Sequence, residues 1–261
     1  MNEVEPKVFL LASTQLNEDE VWRWLNEIKG LQCLDHLDGS EDERLIELAG
    51  RNCYKSFAPG LNKNVTRIRT ESEAYHKNVL ESGHGSVLEH ATATFAFENV
   101  SRVFTHELVR HRQGTAFSQQ SLRYVRLDDI KMWLPPEIRN NEKARSCFEY
   151  VQIVIQENIQ RLSELFDIDN LPMAEKKKLT SAFRRIAPIG LATSIVATFN
   201  MRSLRWVIEM RTAEASEVEI RTVFCKVFEI AQQEWPMLFQ DFERVDTGDG
   251  LFAAVPQNRK V

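Results

Sequence analysis

At 261 residues, 43% of them hydrophobic, the chain can bury a sizeable core, and one large domain is favoured over two small ones. Its net charge of −5 argues against a protein that coats nucleic acid, because such binding is carried by excess Lys and Arg; a bound anion is expected to be small. No run of eighteen apolar residues occurs and the opening "MNEVEPKVFLLAST" lacks the basic region and cleavage site of a secretion signal, so a soluble, cytoplasmic protein that meets no membrane is expected.

In chain order, residues 7–12 (KVFLLA) read as a short strand, and an acidic loop leads into a helix over 41–53. A helix over 71–82 should stop at Gly83, a natural left-handed cap, after which Ser86 and Glu89 have the spacing of a capping box. Residues 91–97 (ATATFAF) alternate like a half-buried strand. Val100, Val103, Phe104 and Leu108 then recur at helical spacing, which places "RHR" (110–112) at or just past that helix's end. "SLRYVRL" (121–127) resembles a strand. A long amphipathic helix over 142–166, a second over 173–186 ending before Pro188, a strand over 190–200 and helices over 201–211 and 216–233 complete the pattern. The fold class is α+β, a mixed sheet with long flanking helices. Residues 1–40 are expected to pack as an extension on a domain spanning 41–246, with 247–261 a loose tail.

Several chemistries lack support. Cys33, Cys53, Cys147 and Cys225 form no C-x-x-C pair, so they are read as reduced, mostly buried thiols rather than disulfides or zinc ligands. Five of the six histidines fall between 76 and 111, but His84 and His90 are six apart, and His106 and His111 lack the i, i+4 spacing of a helical zinc site; no metal is expected. G-x-S-x-G, G-x-G-x-x-G and Walker A motifs are absent.

The cations point elsewhere. Five arginines and no lysine lie between Lys77 and Lys131, and six arginines and no lysine between Lys178 and Lys226; arginine is the planar, bidentate binder of phosphates and carboxylates. "RHRQGTAFSQQSLRYV" (110–125) sets three arginines among Thr115, Ser118, Gln119, Gln120 and Ser121. A salt-bridged surface strand would not need those uncharged donors and acceptors, whereas a ligand with phosphate and heterocyclic edges would use both kinds.

Here the sequence resembles a family. "RHRQGTAFSQQSLRY" is similar to the signature of the flavin-dependent thymidylate synthases, R-H-R, about seven residues, S, then x-R-Y. "ESGHGSVLEHA" (81–91) resembles their "GHE-T-P-F-E-H" segment, and "TFNMRSLRWVIEMRTAEASEVEIR" (198–221) their "N-x-R-S-L…LR-A-x-x-x-A-x-x-E-I" segment. The three blocks cover about 80–221 in the family's order and spacing.

The resemblance implies transfer of the methylene of 5,10-methylenetetrahydrofolate to C5 of dUMP, with reduction by a hydride carried on FAD and replenished by NADPH. It implies no cysteine nucleophile, and a homotetramer whose active sites are shared between subunits. By position, Arg110, His111 and Arg112 would contact FAD, as would Ser86, Gln119, Asn200, Arg202 and Trp206. Ser121 and Arg123 would hold the nucleotide phosphate together with Arg184, which matches by its distance from Asn200. Glu107, Arg110 and Leu122 belong to the same nucleotide site, and Gln119 and Gln120 would line that pocket. Arg211 matches the arginine that contacts the pyrimidine and favours ionisation at N3, making C5 more nucleophilic. His84 matches a histidine near the flavin that steers substrate or solvent access on the folate side; a polar loop residue after the Gly83 cap is the other reading. Glu89 and His90 are read as structural.

The chain departs from the family pattern in places. Eight residues separate Arg112 from Ser121, one more than usual, which leaves the register of Gln113–Ala116 open. Glu107 stands where glutamine is usual, Gln119 where glutamate is frequent and Ala215 where histidine is common. The first two exchanges keep a second substrate open, another pyrimidine nucleotide such as UMP methylated or hydroxymethylated at C5. A noncatalytic nucleotide- or RNA-binding protein is the alternative from another class.

Overall fold

The computed structural model describes residues 2–124, 127 and 129–261. β1 (Asn2–Glu3) and β2 (Lys7–Ser13) precede α1 (Glu18–Glu27), α2 (Glu41–Tyr54) and α3 (Ser72–Glu81). β3 (Thr92–Ser101) runs directly into α4 (Arg102–Leu108), and β4 (Thr115–Gln119) and β5 (Lys131–Met132) follow. Next come the one-turn α5 (Pro136–Arg139), the long α6 (Glu142–Leu165), α7 (Met173–Phe183), β6 (Ala192–Asn200), α8 (Met201–Thr212) and α9 (Val218–Glu234). β7 (Phe242–Asp246) and β8 (Phe252–Pro256) form a closing hairpin. The architecture is α+β, with one four-stranded sheet in the order β2-β3-β6-β4.

Where one domain was favoured, the chain forms two compact units from separate segments: Met1–Phe9, Ala96–Arg110 and Phe117–Ala197 make the first, and Leu10–Phe95, His111–Ala116 and Thr198–Val261 the second. In the first unit, Ile159 of α6 packs on Leu122, Ile130, Met132 and Leu191. The second unit holds buried charge. Glu47 and Arg51, one turn apart on α2, pair at 2.6 Å, and Arg51 also donates to the carbonyls of Ser56 and Arg69 at 2.9 and 2.7 Å. Arg205 makes a bidentate pair with Asp241 at 2.8 and 3.0 Å. Such pairs are tolerated inside a protein because hydrogen bonds replace the water they lose. Trp235 donates from Nε1 to Asp42 at 2.9 Å, whose carboxyl burial pushes up.

Five local expectations are corrected. Ser86 and Glu89 form no capping box: they lie in a 3-10 turn over Gly85–His90 that has no side-chain cap, whereas Ser40 and Glu43 make one at the start of α2. Val100 belongs to β3 rather than to the helix after it. Ser121–Tyr124 is a turn, closed by Tyr124 N–H on the Ser121 carbonyl at 3.1 Å, instead of the start of a strand; Val125 and Arg126 lie outside the described residues. Cys53 and Cys147 are exposed, and Cys33 and Cys225 buried. The segment after Asp246, expected loose, contains β8, paired with β7 along its length. Its turn is tied by Thr247 and Asp249, and Asp249 binds Arg221, which holds that carboxyl well below the usual range.

Candidate active site

The "RHR" triplet follows directly on α4, as its spacing predicts, and the chain turns back at Gly114. Gly114 has φ +63, and a Cβ there would fall against Asn200 Nδ2 and 2.5 Å from Ser203 Oγ, so only glycine fits. Asn200 caps α8 by accepting from Ser203 N–H at 2.8 Å, its own N–H donates to the Gly114 carbonyl at 2.8 Å, and Ser203 Oγ donates to the Gln113 carbonyl at 2.6 Å. Residues 113–114 are thereby fastened to the first turn of α8.

At the other end of α8, Arg211 donates from Nε to Nε2 of His111 at 2.8 Å. The imidazole is neutral there, with its proton on Nδ1. Burial, and then the Arg211 charge, push the His111 pKa down to about 4. Arg202, in the first turn of α8, pairs with Glu89 at 2.7 Å and lies where a Cβ on Gly85 would stand, 2.9 Å from its Nε. Arg112, Ser86 and Trp206 are exposed in this same unit, and His84 stacks on Tyr54 with ring centroids 6.1 Å apart. The second unit thus gathers His84, Ser86, His111, Arg112, Asn200, Arg202, Trp206 and Arg211.

The remaining site residues belong to the first unit. Gln119 donates from Nε2 to Thr105 Oγ1 of α4 at 3.1 Å. Gln120 instead accepts on Oε1 from Thr193 of β6 at 3.4 Å and lines a cavity of about 320 Å³ with Asn99, Asp129 and Lys131. Neighbouring residues of an extended chain face opposite sides, so these two side chains do not share one pocket as expected. Leu122 is buried in the apolar cluster, so its side chain is not available to a ligand. Ser121 Oγ accepts from Arg123 N–H at 3.3 Å, Glu107 is half-buried on α4, and Arg110, Arg123 and Arg184 are exposed.

Sequence reasoning missed Arg102. It opens α4, donates from Nη2 to the Gln120 carbonyl at 3.2 Å, and keeps a buried Nε with no hydrogen-bond partner. Burial and the neighbouring Arg184 charge both push its pKa down. Among the described residues no carboxylate pairs with it. Two guanidinium groups near each other, one half-buried and paired with no carboxylate among the described residues, favour an anion. Its signal in the sequence was membership of the lysine-free arginine run. Among the described residues, no group of three His, Cys, Asp or Glu side chains is placed to hold a metal.

The family described as "Thymidylate synthase complementing protein" matches residues 34–237. The flavin-dependent thymidylate synthase of Corynebacterium diphtheriae is 35% identical over 219 residues, covering 82% of this chain and 84% of that protein. That of Mycolicibacterium gilvum is 30% identical over 259 residues, 97% of each. Two solved structures share the fold: a UMP/dUMP methylase from Streptomyces cacaoi bound with 5-Br dUMP, at a TM-score of 0.64 and 16% identity over 91% of this chain and 95% of that one, and Thymidylate Synthase X from Helicobacter pylori with FAD and dUMP, at 0.57 and 20% over 91% and 98%. With a match across most of its length and relatives above the identity at which membership is secure, the chain belongs to the family of flavin-dependent thymidylate synthases.

Proposed function

We propose that this enzyme methylates dUMP at C5 to give dTMP, with 5,10-methylenetetrahydrofolate as carbon donor and FAD, reduced by NADPH, as hydride carrier; residues 41–246 form its catalytic domain. The observation that carries the nucleotide half is the half-buried Arg102, which pairs with no carboxylate among the described residues and feels the Arg184 charge. With Ser121 and Arg123 these two arginines form the phosphate end of the nucleotide site, and Glu107 and Gln119, both on the α4 side, line the remainder.

The residues of the second unit fit a flavin dinucleotide by their chemistry. Ser86, Arg112 and Arg202 supply a hydroxyl and two guanidinium groups for a diphosphate, Trp206 an exposed indole for a flat ring, and Gly85 the absence of a side chain beside Arg202. Asn200 and His111 complete the set in this unit. FAD, when bound, supplies the hydride that reduces the transferred carbon to a methyl group. His84, on Tyr54, guards the folate side.

Arg211 carries the activation of the pyrimidine. His111, neutral, accepts from Nε and orients this guanidinium without itself bringing a compensating charge. A fixed cation at the pyrimidine favours the N3 anion and raises electron density at C5, where the new bond forms. The active unit is a homotetramer with sites shared between copies.

The test is the visible spectrum of the FAD-reconstituted protein titrated separately with dUMP and UMP, followed by a dTMP assay. A flavin band perturbed by dUMP at lower concentration, with dTMP formed, is the expected result. A response to UMP alone moves the substrate to the ribonucleotide, and no flavin binding removes the reading.

A further inference from the structure

We propose that Asn258–Val261, the segment that follows β8, is a strap that positions the loop Gly83–Ser86 and Arg202 for flavin binding. The proposal rests on the flavin reading above. The root of the strap is fixed: Gln257 N–H donates to the Asp241 carbonyl at 2.9 Å, and Asn258 donates from its backbone and its side-chain amide to the Asp241 carboxylate at 3.2 Å each. That carboxylate is itself gripped by buried Arg205. One residue on, Arg259 pairs with Glu209 of α8 at 3.4 Å, which directs the chain toward the loop after α3.

At the loop the fit is close. A Cβ on Gly83 would stand 3.2 Å from Lys260 Cβ and 3.6 Å from its Cδ, and a Cβ on Gly85 would stand 3.2 Å from the Cα of Val261. The same Gly85 position abuts the Arg202 guanidinium, so the strap and the arginine flank one and the same point of the loop. Gly83, at φ +68, needs glycine for its backbone; Gly85 has an ordinary φ, and its missing side chain is the space that Arg202 and the strap use. The loop carries Ser86, and the first turn of α8 carries Arg202, two of the expected flavin contacts. A loop already ordered in the free protein loses less entropy when the cofactor arrives, so the strap acts on cofactor affinity without touching the reacting atoms. Lys260 is a positioning residue through its aliphatic stem, which lies along Gly83.

The experiment uses three variants of the full chain: truncation after Gln257, Lys260→Gly, and Lys260→Met. FAD affinity is read from flavin fluorescence on titration of the apoprotein, and amide hydrogen exchange over 83–89 is read in the apoprotein alone. Truncation and Lys260→Gly are expected to weaken FAD binding roughly tenfold and to speed exchange in the loop. Lys260→Met, which keeps an unbranched stem on Gly83, is expected to restore both. Unchanged or tighter FAD binding after truncation overturns the strap, as does unchanged loop exchange in Lys260→Gly. Lys260→Met binding as weakly as Lys260→Gly overturns the stem contact. Failure of the unaltered chain to bind FAD overturns the flavin reading instead.

Discussion

Arg211 and His111, a hundred residues apart in sequence, meet as a guanidinium donating to a neutral imidazole at 2.8 Å. The pairing predicts a pH dependence. The folded state holds His111 at about 4, below the 6.5 of a free histidine, so between those two values the unfolded chain binds the additional proton. Stability contributed by this group is therefore fully present above about pH 6.5 and is lost as pH falls toward 4. Urea unfolding measured across that window should show the midpoint dropping with acidification. His111→Gln, which keeps an acceptor for Arg211 but does not titrate, should flatten the dependence. An NMR titration that places His111 at or above 6.5 would contradict the neutral pairing.

Arg211→Ala should retain FAD and lose turnover by about 100-fold or more, the scale on which a preorganised charge stabilises a transition state. Because the cation acts on charge that develops during reaction, kcat should fall far more than KM rises. Arg110→Ala should instead lose the flavin itself. Stopped-flow turnover and a flavin spectrum on each variant separate the two roles, and near-normal kcat in Arg211→Ala would remove the activation role.

Which parts of this were readable in the sequence follows from where the competing partners lie. The α3 stop at Gly83 and the position of "RHR" just past α4 depend on residues within a turn of each other, and local chemistry sufficed. Ser86 and Glu89 have the same spacing as Ser40 and Glu43, yet Glu89 is held by Arg202, 113 residues away, and a partner that distant leaves no local trace. Gly248 and Gly250 read as looseness, but both take positive φ in the β7–β8 turn, where a hairpin requires it. Arg102 looks like any arginine until its neighbours are known; that no carboxylate among the described residues pairs with it is a property of the fold alone.

Arg102→Met should weaken nucleotide binding and leave uridine or deoxyuridine, which lack the phosphate, unaffected. A charge-assisted bond to phosphate contributes about 1.5–3 kcal/mol, so dUMP affinity should drop roughly 10- to 100-fold. The free protein should hold or gain thermal stability, since methionine fills a similar path without a half-buried charge beside Arg184. Calorimetric titration with dUMP and with deoxyuridine gives the comparison. Equal losses for both ligands would place Arg102 outside the phosphate site.

Gly114→Ala tests the fastening of the "RHR" segment to α8. At φ +63 an alanine costs about 1–2 kcal/mol in backbone strain alone. Its Cβ would also push aside Asn200, the α8 cap, and loss of such a cap adds about 0.5–2 kcal/mol. The matched control is Gly60→Ala, at φ +87 with nothing within 4 Å of its Cβ, which carries the strain without the displacement. Denaturant midpoints should therefore fall further for Gly114→Ala than for Gly60→Ala. The excess should come with weaker FAD binding, since Asn200 and Arg202 sit on the turn that moves. Equal destabilisation of the two variants would mean that Asn200 yields freely and that the cap does not fix the segment.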